Sequence, residues 1–134
     1  LALALHASTA WAALTAARSA LDRGDYGVVE AALRSARPAE RAEADRVRAR
    51  WLWETGQHEA LTALATRMQR AAATRPEGLS WEAEALVGVG RYEDAVARWQ
   101  RAIELTPRGE AWSARASSAA RQPRRELTRC RPGC

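Results

Sequence analysis

The stretch that decides the fold is GRYEDAVARWQRAIELTP, residues 90–107 of the chain. Its apolar residues Ala95, Trp99 and Ala102 recur at the three- and four-residue spacing of a helix, so they share one face. The two alanines let a neighbouring helix approach closely, and Trp99 fills the space between them. Pro107 disfavours helical backbone at the residue before it and is expected to end this region. The stretch therefore predicts an amphipathic helix that packs against a second helix.

Two earlier stretches have a similar start, in which glycine is followed after one residue by an aromatic residue or by histidine. The three starts are Gly24-Asp25-Tyr26, Gly56-Gln57-His58 and Gly90-Arg91-Tyr92. Their glycines are 32 and 34 residues apart, and each start lies between two helical patterns. A period of this length is typical of proteins built from repeated helix pairs. The apolar positions around the first two glycines follow the same pattern: Ala17, Leu21, Val29 and Leu33, then Ala49, Leu52, Leu61, Ala65 and Met68.

The third unit resembles the tetratricopeptide repeat, a helix pair with a period of about 34 residues. Ala95, Trp99 and Pro107 match the Ala-x-x-x-Phe and Pro positions of that family. Two positions of the first helix depart from the family pattern, because Leu79 stands in place of Trp and Glu82 in place of Leu. The other two units resemble the family more faintly and gain weight from the shared spacing.

The resemblance covers roughly residues 13–122 and implies an all-α fold. The implied architecture is a short right-handed solenoid of antiparallel helix pairs, with about three repeats and a capping helix near residues 110–122. Residues 1–12 fit either the remnant of a signal peptide or the start of the first helix. Residues 123–134 are rich in Arg and poor in apolar anchors, so we expect a disordered tail. A helical bundle without repeats is the alternative architecture.

The net charge of +5 arises near the C-terminus. Residues 1–112 hold 15 Arg and 15 acidic residues, whereas residues 113–134 hold six Arg and one acidic residue. The balanced body weighs against nucleic acid as its partner. The tail keeps a second hypothesis open, in which its Arg residues bind a nucleic acid or an acidic partner. Cys130 and Cys134 fit either a local disulfide or two unpaired thiols.

The composition also indicates an origin. The chain has no Lys, Asn or Phe, whose codons are rich in A and T, so a GC-rich bacterial genome is expected. Together with the signal-like residues 1–12, this favours an exported, extracytoplasmic protein over a cytoplasmic one. No stretch of the sequence resembles a full membrane span.

Catalytic chemistry has little support in the sequence. His6 lies in the possible signal remnant, and His58 takes the place of a turn aromatic, where a packing role is expected. The chain has no Gly-rich phosphate loop and no ligand spacing typical of zinc. We therefore expect a non-catalytic protein with no cofactor, no metal and no small-molecule substrate.

In the family, the first helix of each repeat lines a concave face that binds a protein or peptide. Carried over by position, the resemblance implies that partner-binding residues include Arg18, Arg46, Arg50, Trp53, Trp81 and Glu84, and that Leu21 and Val47 also point inward. Arg46 and Arg50 are four residues apart and Trp53 follows one turn later, so the three share a face. Such a face suits a carboxylate or an acidic peptide segment.

These residues also have structural interpretations. Arg46 and Arg50 could pair with Glu43 or Glu54 on their own helix, and Trp53 and Trp81 could belong to the core between repeats. The resemblance favours a protein-interaction scaffold that binds a peptide or protein partner. A structural fragment of a larger repeat protein is a further alternative.

Overall fold

The computed structural model describes residues 2–106, with side chains from residue 11 onward. This part of the chain contains six α-helices, one short 3-10 turn at Pro38–Glu40 and no β-strand. The helices are α1 (Ala2–Arg23), α2 (Tyr26–Ser35), α3 (Arg41–Glu54), α4 (His58–Met68), α5 (Arg75–Gly88) and α6 (Tyr92–Glu104). The all-α fold class is therefore confirmed for the described residues. None of their helices is both long enough and apolar enough to cross a membrane.

The glycine of each predicted start lies in a turn between two helices. Gly24, Gly56 and Gly90 have φ values of 72°, 69° and 81°, in the left-handed region that glycine adopts without strain. After α1, the Asp25 N–H donates to the Ala20 carbonyl oxygen at 2.9 Å, and after α5 Arg91 makes the same bond to Leu86. These bonds satisfy carbonyls that the helix end leaves open. The repeated start is thus a repeated helix terminator, as the sequence predicted.

The packing divides the chain into two compact units, one formed by Leu1–Thr55 and the other beginning at Gly56. In the first unit, α3 packs against both α1 and α2. Its core consists of Leu14, Ala17, Ala20, Leu21, Val29, Ala32, Leu33, Ala44 and Val47. The core positions predicted for the first helix pair are therefore buried. The second predicted repeat has its first helix, α3, in the first unit and its second helix, α4, in the second unit.

In the second unit, α5 packs against both α4 and α6. Trp99 on α6 is 4% exposed and packs with Ala83 and Ala95, so its predicted burial is confirmed. The helices α4 and α5 approach closely at Gly78, where an added Cβ would lie 2.7 Å from the Ala65 carbonyl oxygen. This contact is too short for any side chain, so the approach requires glycine.

Leu79 and Glu82 on α5 have different roles in the second unit. Leu79 is buried. The Glu82 carboxylate accepts a hydrogen bond from the Gln69 side chain at 2.8 Å and another from Arg98 Nε at 2.9 Å. Gln69 follows α4 and Arg98 lies on α6, so Glu82 forms a polar bridge that links α5 to the end of α4 and to α6.

The remaining predictions concern the two ends of the chain and the solenoid. The predicted capping helix at 110–122, the tail at 123–134 and its two cysteines lie outside the described residues. Helix α1 includes residues 2–12. The right-handed solenoid stays a prediction.

Candidate functional site

Helices α1 and α3 are joined by two ion pairs along one side of the first unit. Arg18 Nη2 on α1 pairs with Glu43 on α3, and Arg50 Nη2 on α3 donates to the Asp22 carboxylate on α1 at 2.7 Å. Arg18 precedes Asp22 on α1, and its partner Glu43 precedes Arg50 on α3. The two helices therefore run in the same direction where these residues meet.

Further ion pairs hold the arginines of α3 in place. Arg46 Nη1 lies 3.3 Å from a Glu43 carboxylate oxygen, one helical turn earlier. Arg50 Nε donates to Glu54 Oε1 at 2.7 Å, one helical turn later. The sequence alternative that Arg46 and Arg50 pair with Glu43 and Glu54 is therefore confirmed.

The charges of this side are layered by depth. The Arg18 side chain is 51% exposed, and those of Arg46 and Arg50 are each 40% exposed. Their carboxylate partners Glu43 and Glu54 are only 9% and 18% exposed. The guanidinium groups thus form the outer layer, and these two carboxylates lie beneath them. A partner that approaches this side meets cations held in fixed positions by recessed anions.

Asp22 differs from the recessed carboxylates because its side chain is 64% exposed. Its hydrogen bond raises the pKa of the Arg50 guanidinium, and Glu54 adds a smaller increase against the opposing effect of partial burial. Arg50 therefore remains a cation throughout the physiological pH range. Asp22 was absent from the predicted site, although its position four residues after Arg18 on α1 places the two on one face.

Trp53 lies in the last turn of α3 with 42% of its surface exposed. It follows Arg50 by three residues and Arg46 by seven, so its ring projects on the same side of α3. Within the described part of the chain, neither its indole N–H nor Nη1 of Arg50 donates a hydrogen bond. We call Arg18, Arg46, Arg50 and Trp53 the Arg–Trp face. It offers the exposed Trp53 ring and two N–H groups, the indole N–H and Arg50 Nη1, that have no acceptor within the described residues.

The other predicted site residues have different surroundings. Trp81 and Glu84 lie on α5 in the second unit, and both are half-buried. Their participation in one site with the Arg–Trp face stays a prediction. The inward position carried over for Val47 was wrong, because its side chain lies in the core of the first unit and is 2% exposed. Leu21 is 3% exposed in the same core, as its place among the predicted core positions implies.

The second unit contains a groove of about 940 Å³ between α4 and α5. Its apolar surface is formed by Ala60, Ala63, Ala85, Leu86 and Val89, and His58, Glu59 and Arg91 lie at its polar parts. The His58 imidazole packs directly against Gly88 and leaves no room for a Cβ at that position. The packing role expected of His58 is therefore confirmed.

The described residues contain no cluster of three or more His, Cys, Asp or Glu side chains arranged to hold a metal ion. No model of a known protein family, no curated protein and no solved structure matches this chain. The candidate function therefore rests on the geometry of the Arg–Trp face.

Proposed function

We propose that this protein is a helical protein-interaction module that binds a peptide segment of a partner on the Arg–Trp face. One observation carries the proposal: three outward guanidinium groups are fixed by mostly recessed carboxylates beside an exposed tryptophan. Arg and Trp are enriched among the residues that contribute most binding energy at protein interfaces. The side chains are already ordered by their ion pairs, so less conformational entropy is lost on binding.

The arrangement of helices supports the same proposal. Three glycine turns recur at nearly equal intervals, and α1 and α3, the first helices of two predicted repeats, run in the same direction. Parallel first helices are what a stack of repeated helix pairs requires. We propose that the pairs form a short right-handed solenoid.

The chemistry of the face favours an acidic segment that also carries an apolar side chain. A partner carboxylate would accept from the outward guanidinium groups, and an apolar side chain would lie against the Trp53 ring. A hydrogen bond that involves a charged group contributes about 1.5–3 kcal/mol. Because association itself costs several kcal/mol, a specific and reversible interaction would use several of the guanidinium groups together with contact on the ring.

The test begins with a partner captured by the whole chain. The double variant Arg50→Glu with Trp53→Ala should abolish capture, because it reverses one charge and removes the exposed ring. A matched control is Arg91→Glu with Tyr92→Ala, which changes an exposed arginine and an exposed aromatic residue in the second unit. The control should retain capture, and both variants should keep the helical circular dichroism signal. Unchanged affinity of the first double variant would refute the proposal.

A second candidate function is favoured by the uneven charge. Residues 113–134 hold six Arg against one acidic residue, so this region could bind a nucleic acid or an acidic partner by itself. Binding of that kind should weaken steeply with salt and disappear when residues 113–134 are deleted. Binding through the Arg–Trp face should survive the deletion.

A further inference from the structure

Asp22 lies beside the Arg–Trp face and is the carboxylate there that a partner would meet first. It is 64% exposed, whereas the Glu43 and Glu54 carboxylates lie beneath the guanidinium groups. We propose that Asp22 is a built-in competitor, which occupies Arg50 in the unbound protein and is displaced by a carboxylate of the partner. This inference rests on the proposed function of the face and names what sets its affinity.

The geometry of Arg50 makes the exchange possible without moving the residue. Its Nε is held by Glu54 at 2.7 Å, and this bond can stay in place while a ligand binds. Its Nη2 donates to Asp22, and its Nη1 donates to no acceptor within the described residues. A partner carboxylate that replaced Asp22 could therefore accept from Nη2 and Nη1 together, the two-bond arrangement that arginine favours.

The contact that a partner would have to break is weak. An ion pair between exposed side chains contributes little to stability, and the pair with Asp22 is of this type. Asp22 also repels any carboxylate that approaches Arg50, so it lowers affinity in two ways. Without its charge, the face would hold three arginines against two recessed carboxylates. Asp22 thus discriminates against weakly acidic segments and admits those with several carboxylates.

The experiment compares Asp22→Asn with the wild-type chain. The probe is a fluorescein-labelled peptide of about ten residues that alternates Glu and Leu, and a second probe replaces each Glu by Gln. Binding is followed by fluorescence anisotropy at low salt. We expect Asp22→Asn to bind the Glu peptide about two- to tenfold more tightly than wild type, with no gain for the Gln peptide.

Two controls separate competition from a general change in charge or fold. Asp94→Asn removes an exposed carboxylate that pairs with Arg91 at 2.7 Å in the second unit, and it should leave affinity unchanged. In an Arg50→Gln background, Asp22→Asn should raise the affinity for the Glu peptide less than in the wild-type background, because the guanidinium that Asp22 occupies is missing. Asp22→Ser serves as a second variant if Asp22→Asn alters the circular dichroism spectrum.

The possible results are distinct. If the wild-type chain binds the Glu peptide and Asp22→Asn binds no more tightly, the competitor role is wrong and the proposed function stands. If the gain is the same with Arg50→Gln, Asp22 acts through general charge and the competitor role is again wrong. If neither chain binds the Glu peptide, both the inference and the acidic partner of the proposed function are refuted.

Discussion

Replacement of Gly78 by alanine tests the close approach of α4 and α5. Two opposing effects decide its result. Alanine favours a helix over glycine by about 0.8–1.0 kcal/mol, which would stabilise α5. The added methyl group, however, would lie 2.7 Å from the Ala65 carbonyl oxygen and 3.0 Å from the Gln69 backbone nitrogen. Both atoms belong to the backbone, so neither can rotate away.

The second effect should exceed the first. Overpacking of a close contact costs about 1–3 kcal/mol, and a clash with backbone atoms lies toward the upper end of that range. The expected net result for Gly78→Ala is therefore a loss of about 1–2 kcal/mol from the free energy of unfolding. The substitution should force α4 and α5 apart where Gln69 and Glu82 meet. The backbone amides of the second unit should therefore lose the most protection against hydrogen exchange.

Gly27 on α2 provides a matched control. An added Cβ there has its nearest neighbour, Asp25 Oδ1, at 3.8 Å, which is an ordinary contact. Gly27→Ala should therefore stabilise the protein by about 0.5–1 kcal/mol. Urea unfolding followed by circular dichroism gives the free energies, and hydrogen exchange of individual peptides shows which unit changes. A Gly78→Ala protein as stable as the Gly27→Ala protein would refute the close approach of the two helices.

Three further predictions concern stability. Trp99→Ala should lower the free energy of unfolding by about 3–5 kcal/mol, because the loss of this buried ring leaves a cavity beside Ala83 and Ala95, and a loss near zero in urea unfolding would contradict its core position. The Arg37 backbone N–H, followed by the Arg37 side chain, lowers the pKa of Glu40 below its ordinary value of 4.5. The ionised Glu40 carboxylate therefore stabilises the folded chain fully above pH 4.5, and this stabilisation is lost as the pH falls through the lowered pKa. Glu40→Gln should reduce this acid dependence in thermal melts, and an unchanged dependence would exclude Glu40 as its source. Deletion of residues 123–134 should leave the melting temperature almost unchanged, whereas a large drop would show that the tail packs on the helices.

The parts of the fold that depend on local spacing were predictable. Glycine at 24, 56 and 90 indicates helix ends because only glycine adopts their backbone conformation without strain, and the structure confirms all three. The face of Ala95, Trp99 and Ala102 follows from the helical period in the same way, and all three are buried. These features need no knowledge of what lies across the interface.

The features that depend on contact between distant residues were not predictable. The inward position carried over from the family was wrong for Val47, because its side chain packs in the core formed by helices that lie far apart in sequence. Asp22 was missed since its pair with Arg50 spans 28 residues of sequence. The close approach at Gly78 was missed for the same reason, because nothing near that residue in sequence indicates the Ala65 carbonyl.

The bridge made by Glu82 has a consequence for motion in the second unit. If the end of α4 frays, Glu82 loses the Gln69 donor, and if α6 shifts, it loses the Arg98 donor. Either event leaves a half-buried carboxylate with fewer donors, which raises the free energy of the opened state. A single carboxylate, on the helix between them, therefore opposes both the fraying of α4 and the displacement of α6.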